Sequence, residues 1–295
     1  MPPSTGWWRL GPLRKSRVTD DARRVALLAV SEDGPRDLTS MVTVAPGTSG
    51  VARIEYRDGG VLAGVDYADA VAEVCGCGPI RWRTHEGERV VAGGSAGTLS
   101  GPLAPIFRAE RTLLNVLQRA SGIATLTRRY VDAVAGTACR ILHTRKTTPG
   151  LRTFEVAAVV AGGGHIHRMN LSDIVMVKDN HWRALERDGV QLADALRSAR
   201  AQGAAGCYVE VETPAQLELA CAASASRLLV DNQSPETVRA WGERARQLAP
   251  GIEIEASGGI TLDNVRSYAL ALVDFVSVGA LTHSVRAADV ALEVV

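Results

Sequence analysis

Six short apolar segments, spaced along the second half of the chain, do most to restrict its fold. They are "RILHT", "DIVMVKD", "YVEVE", "RLLVDN", "IEIEAS" and "FVSVGA", rich in β-branched residues and separated by alanine-rich helical stretches. Strands that alternate with helices must be joined by crossovers, and crossovers build a parallel sheet with helices packed outside it. In an α/β barrel the carboxyl ends of all strands open onto one face, where active sites form. Here the segments end, in order, in Arg145-Lys146, Lys178-Asp179-Asn180, Glu210-Val211-Glu212, Asp231-Asn232, Ser257-Gly258-Gly259 and Gly279. Loops are polar in any case, but ionic groups at nearly every strand end predict one shared charged site.

The first interval between segments is the longest. It holds "EVAAVVAGGGHIHRMNLS", read as a helix that ends in glycines and gives way to a polar loop carrying His167 and Arg168. Upstream of the segments, "RAERTLLNVLQRASGIATLTRRYVDAVAG" places Leu113, Leu114, Leu117, Ile123, Leu126, Tyr130 and Val134 at helical spacing and stops at Gly136, which predicts one or two long helices. The remaining N-terminal part, polar and turn-rich, reads as an α+β domain of short strands and a helix.

Several function classes are excluded by composition. The 295 residues are 46% hydrophobic, enough for a sizeable core, and the formal net charge is only +1. No global field is therefore available to hold nucleic acid or an anionic membrane surface, and any anion must be recognised locally. The start lacks an apolar signal core and no apolar stretch approaches a membrane span, so a cytoplasmic location is expected. Cys75, Cys77, Cys139, Cys207 and Cys221 are scattered and odd in number, which argues against a disulfide framework. Cys75-Gly76-Cys77 has no second Cys/His pair at zinc-site spacing.

The convergent groups sort into three kinds. Arg145, Lys146, His167, Arg168 and Lys178 suit a polyanionic substrate, since Arg forks bind carboxylate or phosphate bidentately and Lys supplies a compact charge. "SGGI" and "SVGALTHS", at the last two strand ends, can cradle a phosphate through backbone N–H groups. Glu210 and Asp231, on neighbouring strands, can accept from ribose hydroxyls or hold Mg²⁺, which prefers oxygen ligands and bridges to phosphate. Together they predict a phosphorylated sugar as one substrate. Glu212 should share the face of Glu210 if the strand persists that far.

With these motifs in place, the sequence resembles the quinolinate phosphoribosyltransferases. The resemblance rests on "RTLLNVLQRASGIATLTRRYVDAV", "TRKTTPGLR", "GGGxxHRMxLSD", "VKDNH", "VEVE", "VDN", "ASGGI" and "SVGALTHS", and runs from about Arg36 onward. It implies an α/β fold made of an N-terminal α/β sandwich domain plus a C-terminal open α/β (TIM-like) barrel. It further implies that quinolinate and phosphoribosyl pyrophosphate become nicotinate mononucleotide, CO2 and pyrophosphate with Mg²⁺ as cofactor. Arg145, Lys146, His167, Arg168 and Lys178, with Thr144 beside them, are then expected to line the quinolinate pocket. Glu210 and Asp231 are expected near the ribose and Mg²⁺, and Ser257, Gly258, Gly259 and Gly279 at the phosphate, with His283 closing that loop. Arg111 is expected to reach in from a neighbouring subunit of a homodimer or of a hexamer of dimers. The expected domains are an extension over 1–20, the sandwich with its linking helices over 21–135, the barrel over 136–284 and a segment over 285–295 that packs back on the N-terminal domain.

Three positions depart from the family pattern: His143 where Asp is usual, Ile166 where Asn is usual and Asn170 where Gly is usual. They keep open a paralogous phosphoribosyltransferase of the molybdenum-transport-associated type, acting on another heterocyclic acid. A Schiff-base lyase using Lys146 or Lys178 and a metabolite-binding protein without turnover are the readings from other classes.

Overall fold

The computed structural model describes residues 15–295, so the tryptophans Trp7 and Trp8 and most of the expected extension over 1–20 lie outside the described residues. The first half contains helices α1 (Lys15–Glu32) and α2 (Leu38–Thr43), strands β1 (Ser49–Tyr56) and β2 (Gly60–Val61), helix α3 (Val65–Val74), strands β3 (Ile80–Trp82), β4 (Arg89–Val90) and β5 (Gly94–Pro102), and one unbroken helix, α4 (Leu103–Ala133). Then follow β6 (Arg140–Leu142), α5 (Arg152–Ala161), β7 (Ile174–Val177), α6 (Asp179–Asp188), α7 (Leu192–Ala201), β8 (Gly206–Val211), α8 (Pro214–Ala222) and β9 (Arg227–Asp231). The chain closes with α9 (Pro235–Leu248), β10 (Glu253–Ser257), α10 (Val265–Leu270), β11 (Phe275–Ser277), α11 (Ala280–His283) and β12 (Val290–Val294). No described helix is long and apolar enough to cross a membrane.

Two compact units emerge, neither contiguous in sequence: residues 15–128, 147–164 and 280–295 form one, and residues 129–146 and 165–279 the other. The first is built on an antiparallel sheet of order β12-β1-β5-β3. Along β1, Ala52, Ile54 and Tyr56 are buried while Val51 and Arg53 face out, the alternation of a sheet covered on one side. Tyr56 turns its hydroxyl to Ser121 Oγ, 2.6 Å away on α4, and Ser121 also accepts the N–H of Ala63, so this buried polar cluster is satisfied. β12 pairs with β1 from Ala52↔Val294 to Tyr56↔Val290, which returns the C-terminal segment to the N-terminal sheet.

Helix α1 has no counterpart in the sequence reading. Ala22, Val25, Ala26 and Val30 recur at helical spacing and are buried, and Tyr67 on α3 donates to Asp21 at 2.8 Å. The glycines that end α5 serve a close approach: a Cβ on Gly162 would sit 2.5 Å from the carbonyl oxygen of Ala124 and 2.6 Å from Thr127 Cβ on α4.

The second unit is a six-stranded sheet of order β6-β11-β10-β9-β8-β7 with parallel pairing throughout. β6 and β7 stand at its two edges, so the barrel is open. Every residue of β8 is buried, as expected of a parallel strand covered on both faces. The six strands are the six sequence segments, trimmed at their ends: Lys178 is not a strand residue but the N-cap of α6, with Asp179 and Asn180 in that helix's first turn.

Candidate active site

The carboxyl ends of the six strands surround a bowl of about 730 Å³, lined from β6 by His143, Thr144, Arg145 and Lys146, from the following loop by His167 and Arg168, and from β7 and α6 by Lys178. β8 contributes Glu210 and Glu212, β9 contributes Asp231 and Asn232, β10 contributes Glu255, Ser257, Gly258 and Gly259, and β11 contributes Ser277. Charge is thus sorted by strand: cations from β6 to α6, acids from β8 and β9, glycines from β10.

The loop that carries His167 and Arg168 is held like a further strand beside β6. His165 N–H donates to Ile141 O at 2.8 Å and His143 N–H donates to His165 O at 3.3 Å. His167 Nε2 then donates to Glu255 Oε2 at 3.1 Å, and Arg168 Nη1 donates to Ile174 O at 3.3 Å. Burial, joined by the nearby charge of Arg145, draws the Arg168 guanidinium down from its ordinary value. Arg145 Nε is buried without any hydrogen-bond partner, an unmet donor of the kind a bound anion satisfies.

On α6, His181 Nδ1 accepts the Lys178 N–H at 3.1 Å, which fixes the chain where the Lys178 side chain leaves it. Lys178 Nζ is ion-paired to the buried carboxylate of Glu210, whose carbonyl accepts from Trp182 Nε1 at 2.8 Å. The "VKDNH" motif therefore aims one ammonium at one acid. Lys178 is thus engaged by a carboxylate and part-exposed, not set in the desolvated apolar pocket that activates a Schiff-base lysine.

The acid and glycine ends are locked together by register. Asp231 pairs with Ser257 across β9 and β10, and the Asn232 N–H donates to Ser257 O at 2.9 Å. Asn232 adopts a left-handed backbone, φ 52°, and donates from Nδ2 to Asp231 Oδ2 at 2.5 Å. Gly258 follows at φ 83°, packed so closely on Asn232 that no side chain fits between them. Gly259, also left-handed, presents its carbonyl to Asn264 Nδ2 at 3.1 Å.

Of the residues singled out by sequence, the bowl gathers Thr144, Arg145, Lys146, His167, Arg168, Lys178, Glu210, Asp231, Ser257, Gly258 and Gly259. Three stand apart from its lining. Gly279 is the last residue of the parallel-sheet unit; His283 lies on α11 in the other unit, exposed, with Nδ1 2.6 Å from Ser284 Oγ. Arg111 lies on α4 in a groove with Asp33, Arg36, Asp37 and Arg108.

The hydroxyls of "TRKTT" turn out to be local fasteners. Thr144 Oγ1 accepts the Lys146 N–H at 3.1 Å, while Thr148 donates its N–H and its hydroxyl to Glu155, at 3.0 and 2.8 Å. Asn170, one of the three departures, accepts the N–H groups of Ser172 and Asp173 and so shapes its own turn. His143 is buried in the floor of the bowl, and Ile166 is not part of its lining.

Two charged residues were missed. Glu255 and Arg227 are completely or almost completely buried beneath the bowl: Arg227 donates to Glu255 at 3.0 Å and to Glu253 at 2.8 Å, between the rings of Tyr208 and Phe275. Burial alone pushes the Glu255 carboxyl up, but His167, Arg227 and a hydrogen bond from Ser277 together hold it down at about 2. The signal was present: a Glu inside the apolar run "IEIEAS" and an Arg opening "RLLVDN" are too costly to bury unless they meet.

Comparison with known proteins fits this arrangement. Residues 123–293 match the model of the quinolinate phosphoribosyl transferase C-terminal domain, and residues 37–121 match that of its N-terminal domain. The chain belongs to the quinolinate phosphoribosyltransferase family. It is 40% identical over 280 residues to the nicotinate-nucleotide pyrophosphorylase [carboxylating] of Mycobacterium leprae, covering 93% of this chain and 97% of that one. The chloroplastic enzyme of that name from Arabidopsis thaliana is 38% identical over 299 residues, 95% of this chain and 84% of the relative. Among solved structures, the nicotinate-nucleotide pyrophosphorylase of Francisella tularensis superposes with a TM-score of 0.87 at 30% identity, over 99% of this chain and all of that one. Family membership accounts for the sandwich and open barrel together, since both matched models lie on one chain in that order.

Proposed function

We propose that this chain is a quinolinate phosphoribosyltransferase, a decarboxylating pentosyltransferase that makes nicotinate mononucleotide, CO2 and pyrophosphate from quinolinate and phosphoribosyl pyrophosphate. Beside the family match, the observation that carries the reading is the strand-by-strand sorting of charge around the bowl. A dicarboxylate needs donors for two adjacent anions, and leaving either buried and unpaired costs several kcal/mol. Arg145, Lys146, His167, Arg168 and Lys178 supply those donors on one side. The acids that follow suit ribose hydroxyls, and the turn at Ser257 to Gly259 offers backbone N–H groups to the phosphate.

In this reading the ring nitrogen of quinolinate gives its lone pair to the anomeric carbon while the bond to pyrophosphate breaks and its electrons leave with the pyrophosphate oxygen. Glu210 and Asp231 face the positive charge that grows on the sugar. The ring is now quaternised, and the carbon–carbon bond to the adjacent carboxylate breaks toward it, releasing CO2 and leaving an electron pair on the ring carbon. We assign the proton that quenches this carbanion to Lys146, exposed at the rim. No residue forms a covalent bond to substrate, so positioning and electrostatics supply the rate.

The donor set also fits Mg²⁺. No three His, Cys, Asp or Glu side chains among the described residues form a metal cage, whereas Mg²⁺ is ordinarily held by one or two carboxylates together with substrate phosphates and water. Glu210 and Asp231 would hold it, and when bound it neutralises charge on the departing pyrophosphate. A second copy of the chain brings its Arg111 groove to the bowl, which explains why Arg111 lies outside the lining of its own.

The test is product formation from Mg²⁺, phosphoribosyl pyrophosphate and quinolinate, read by mass spectrometry, with nicotinate and other heterocyclic acids in parallel. Nicotinate mononucleotide from quinolinate, abolished in Lys146→Ala, is expected. Pyrophosphate release with a different acid only would overturn the substrate and turn attention to His143. Mixing the inactive Arg111→Ala and Lys146→Ala variants should restore activity if each site draws on two chains.

A further inference from the structure

The ion network under the bowl calls for an explanation that stability does not give. The Glu255 side chain is wholly buried and that of Arg227 is 2% exposed. Apolar residues of similar volume commonly replace such pairs at no loss of stability. What distinguishes this network is where it points. A single oxygen of Glu255, Oε2, meets both Arg227 Nη1 at 3.0 Å and His167 Nε2 at 3.1 Å, and His167 lines the bowl.

We infer that Glu255 and Arg227 are a positioning pair for the reaction, setting the imidazole of His167 against the acid substrate. The inference rests on the assignment of the bowl to quinolinate. Arg227 is fixed on four sides, by Glu253 at 2.8 Å, by Glu255, and by the rings of Tyr208 and Phe275 at 4.4 and 3.9 Å. It cannot follow a moving partner, so Glu255 is held in place. An ionised carboxylate only accepts hydrogen bonds, so Nε2 of His167 must carry a proton and the tautomer is fixed. Tyr208 completes the restraint, its ring 5.6 Å from that of His167 at 88°. Without Glu255 the ring would keep one edge contact and lose its orientation. It would also lose the negative charge that stands behind it in a bowl shared with Arg145 and Arg168. Carboxylates behind the histidines of metal sites act in the same way, and losing one weakens binding on the order of tenfold or more.

The experiment is a double-mutant cycle on the purified full chain, with KM for quinolinate, KM for phosphoribosyl pyrophosphate and kcat measured for Glu255→Gln, His167→Asn and both together. Glu255→Gln keeps the shape and removes the charge. The expected result is a rise of roughly tenfold in KM for quinolinate, no comparable change for phosphoribosyl pyrophosphate, and no further rise when Glu255→Gln is added to His167→Asn. Arg227→Met, which keeps volume, should raise the same KM in the same direction and serves if Glu255→Gln fails to fold. If His167→Asn raises KM but Glu255→Gln and Arg227→Met shift only the melting temperature, or if the effects multiply independently, the pair is structural and the inference falls. If His167→Asn itself leaves KM for quinolinate unchanged, the assignment of the bowl fails first.

Discussion

Substituting Gly258 by alanine tests whether the turn after β10 is as tightly fitted as its geometry implies. The residue sits at φ 83°, and the left-handed conformation costs an L-residue about 1–2 kcal/mol. A Cβ there would also lie 2.2 Å from Asn232 Oδ1, 2.6 Å from its Cγ and 3.0 Å from its backbone nitrogen. The amide must retreat by about 1.2 Å to reach ordinary contact at 3.4 Å. Asn232 cannot retreat without breaking its 2.5 Å bond to Asp231, a hydrogen bond to a charged group worth about 1.5–3 kcal/mol. Gly258→Ala should therefore cost about 2.5–5 kcal/mol in urea unfolding.

Gly259→Ala provides the control. Gly259 has φ 61° but nothing within 4 Å of its added Cβ, so it should lose only the backbone part, about 1–2 kcal/mol. Asn232→Gly loses the same hydrogen bond by itself but removes the clashing amide and keeps the φ of 52° freely, so Gly258→Ala added in that background should cost only the backbone part, about 1–2 kcal/mol. Equal losses at Gly258 and Gly259, or a double variant as unstable as the two single changes added, would refute the contact as the cause.

Three further outcomes follow from the charged groups and their partners. Lys178→Ala leaves Glu210 buried without its ion pair and should lower kcat/KM by about 10²-fold or more in steady-state assays. Arg119→Met removes the guanidinium that donates to the fully buried Glu155 from Nε at 3.1 Å, and chemical denaturation should show a loss of about 3 kcal/mol. Glu255 titrates at about 2 when folded against an ordinary value of 4.5, so its ionised form favours folding. That contribution is complete above about pH 4.5 and drains as pH falls toward 2; between pH 5 and 3 the unfolding free energy should decline more steeply in the native protein than in Glu255→Gln.

Much of this was legible because parallel strands write their position twice, in an apolar run and in what ends it. The run "RLLVDN" announces a buried strand, and Asp231 at its end announces the open face. Reading only the ends had a cost. Glu255 and Arg227 sit inside their strands, and their meaning depends on a pairing between β9 and β10, a tertiary fact that no single segment carries. The threonine Thr148 shows the same limit, since it is claimed by Glu155, seven residues away on the next helix. Helix α1 escaped because its buried stripe is mostly alanine and valine, with Leu27 and Leu28 on the exposed side, so the eye finds no leucine face. What sequence alone could not supply was the difference between an acid open at the bowl and one wholly buried in its floor.

That difference decides how the bowl treats a ligand. Arg145, Lys146, Arg168 and Lys178 converge there with His167, and burial first, then the like charge of Arg145, draws the Arg168 guanidinium down, so the crowding of charge carries a cost. Two carboxylates relieve it, in different ways. Glu210 is paired to Lys178, a side chain 41% exposed and long enough to swing, whereas Glu255 is wholly buried and clamped by Arg227. Under the proposed function, an incoming dicarboxylate would take Lys178 from Glu210 and so leave that acid to the second substrate. It cannot take His167 from Glu255, and gains instead a donor already oriented. On that reading the first exchange would couple the two substrates and the second would fix their geometry, one counter-charge yielding and the other holding.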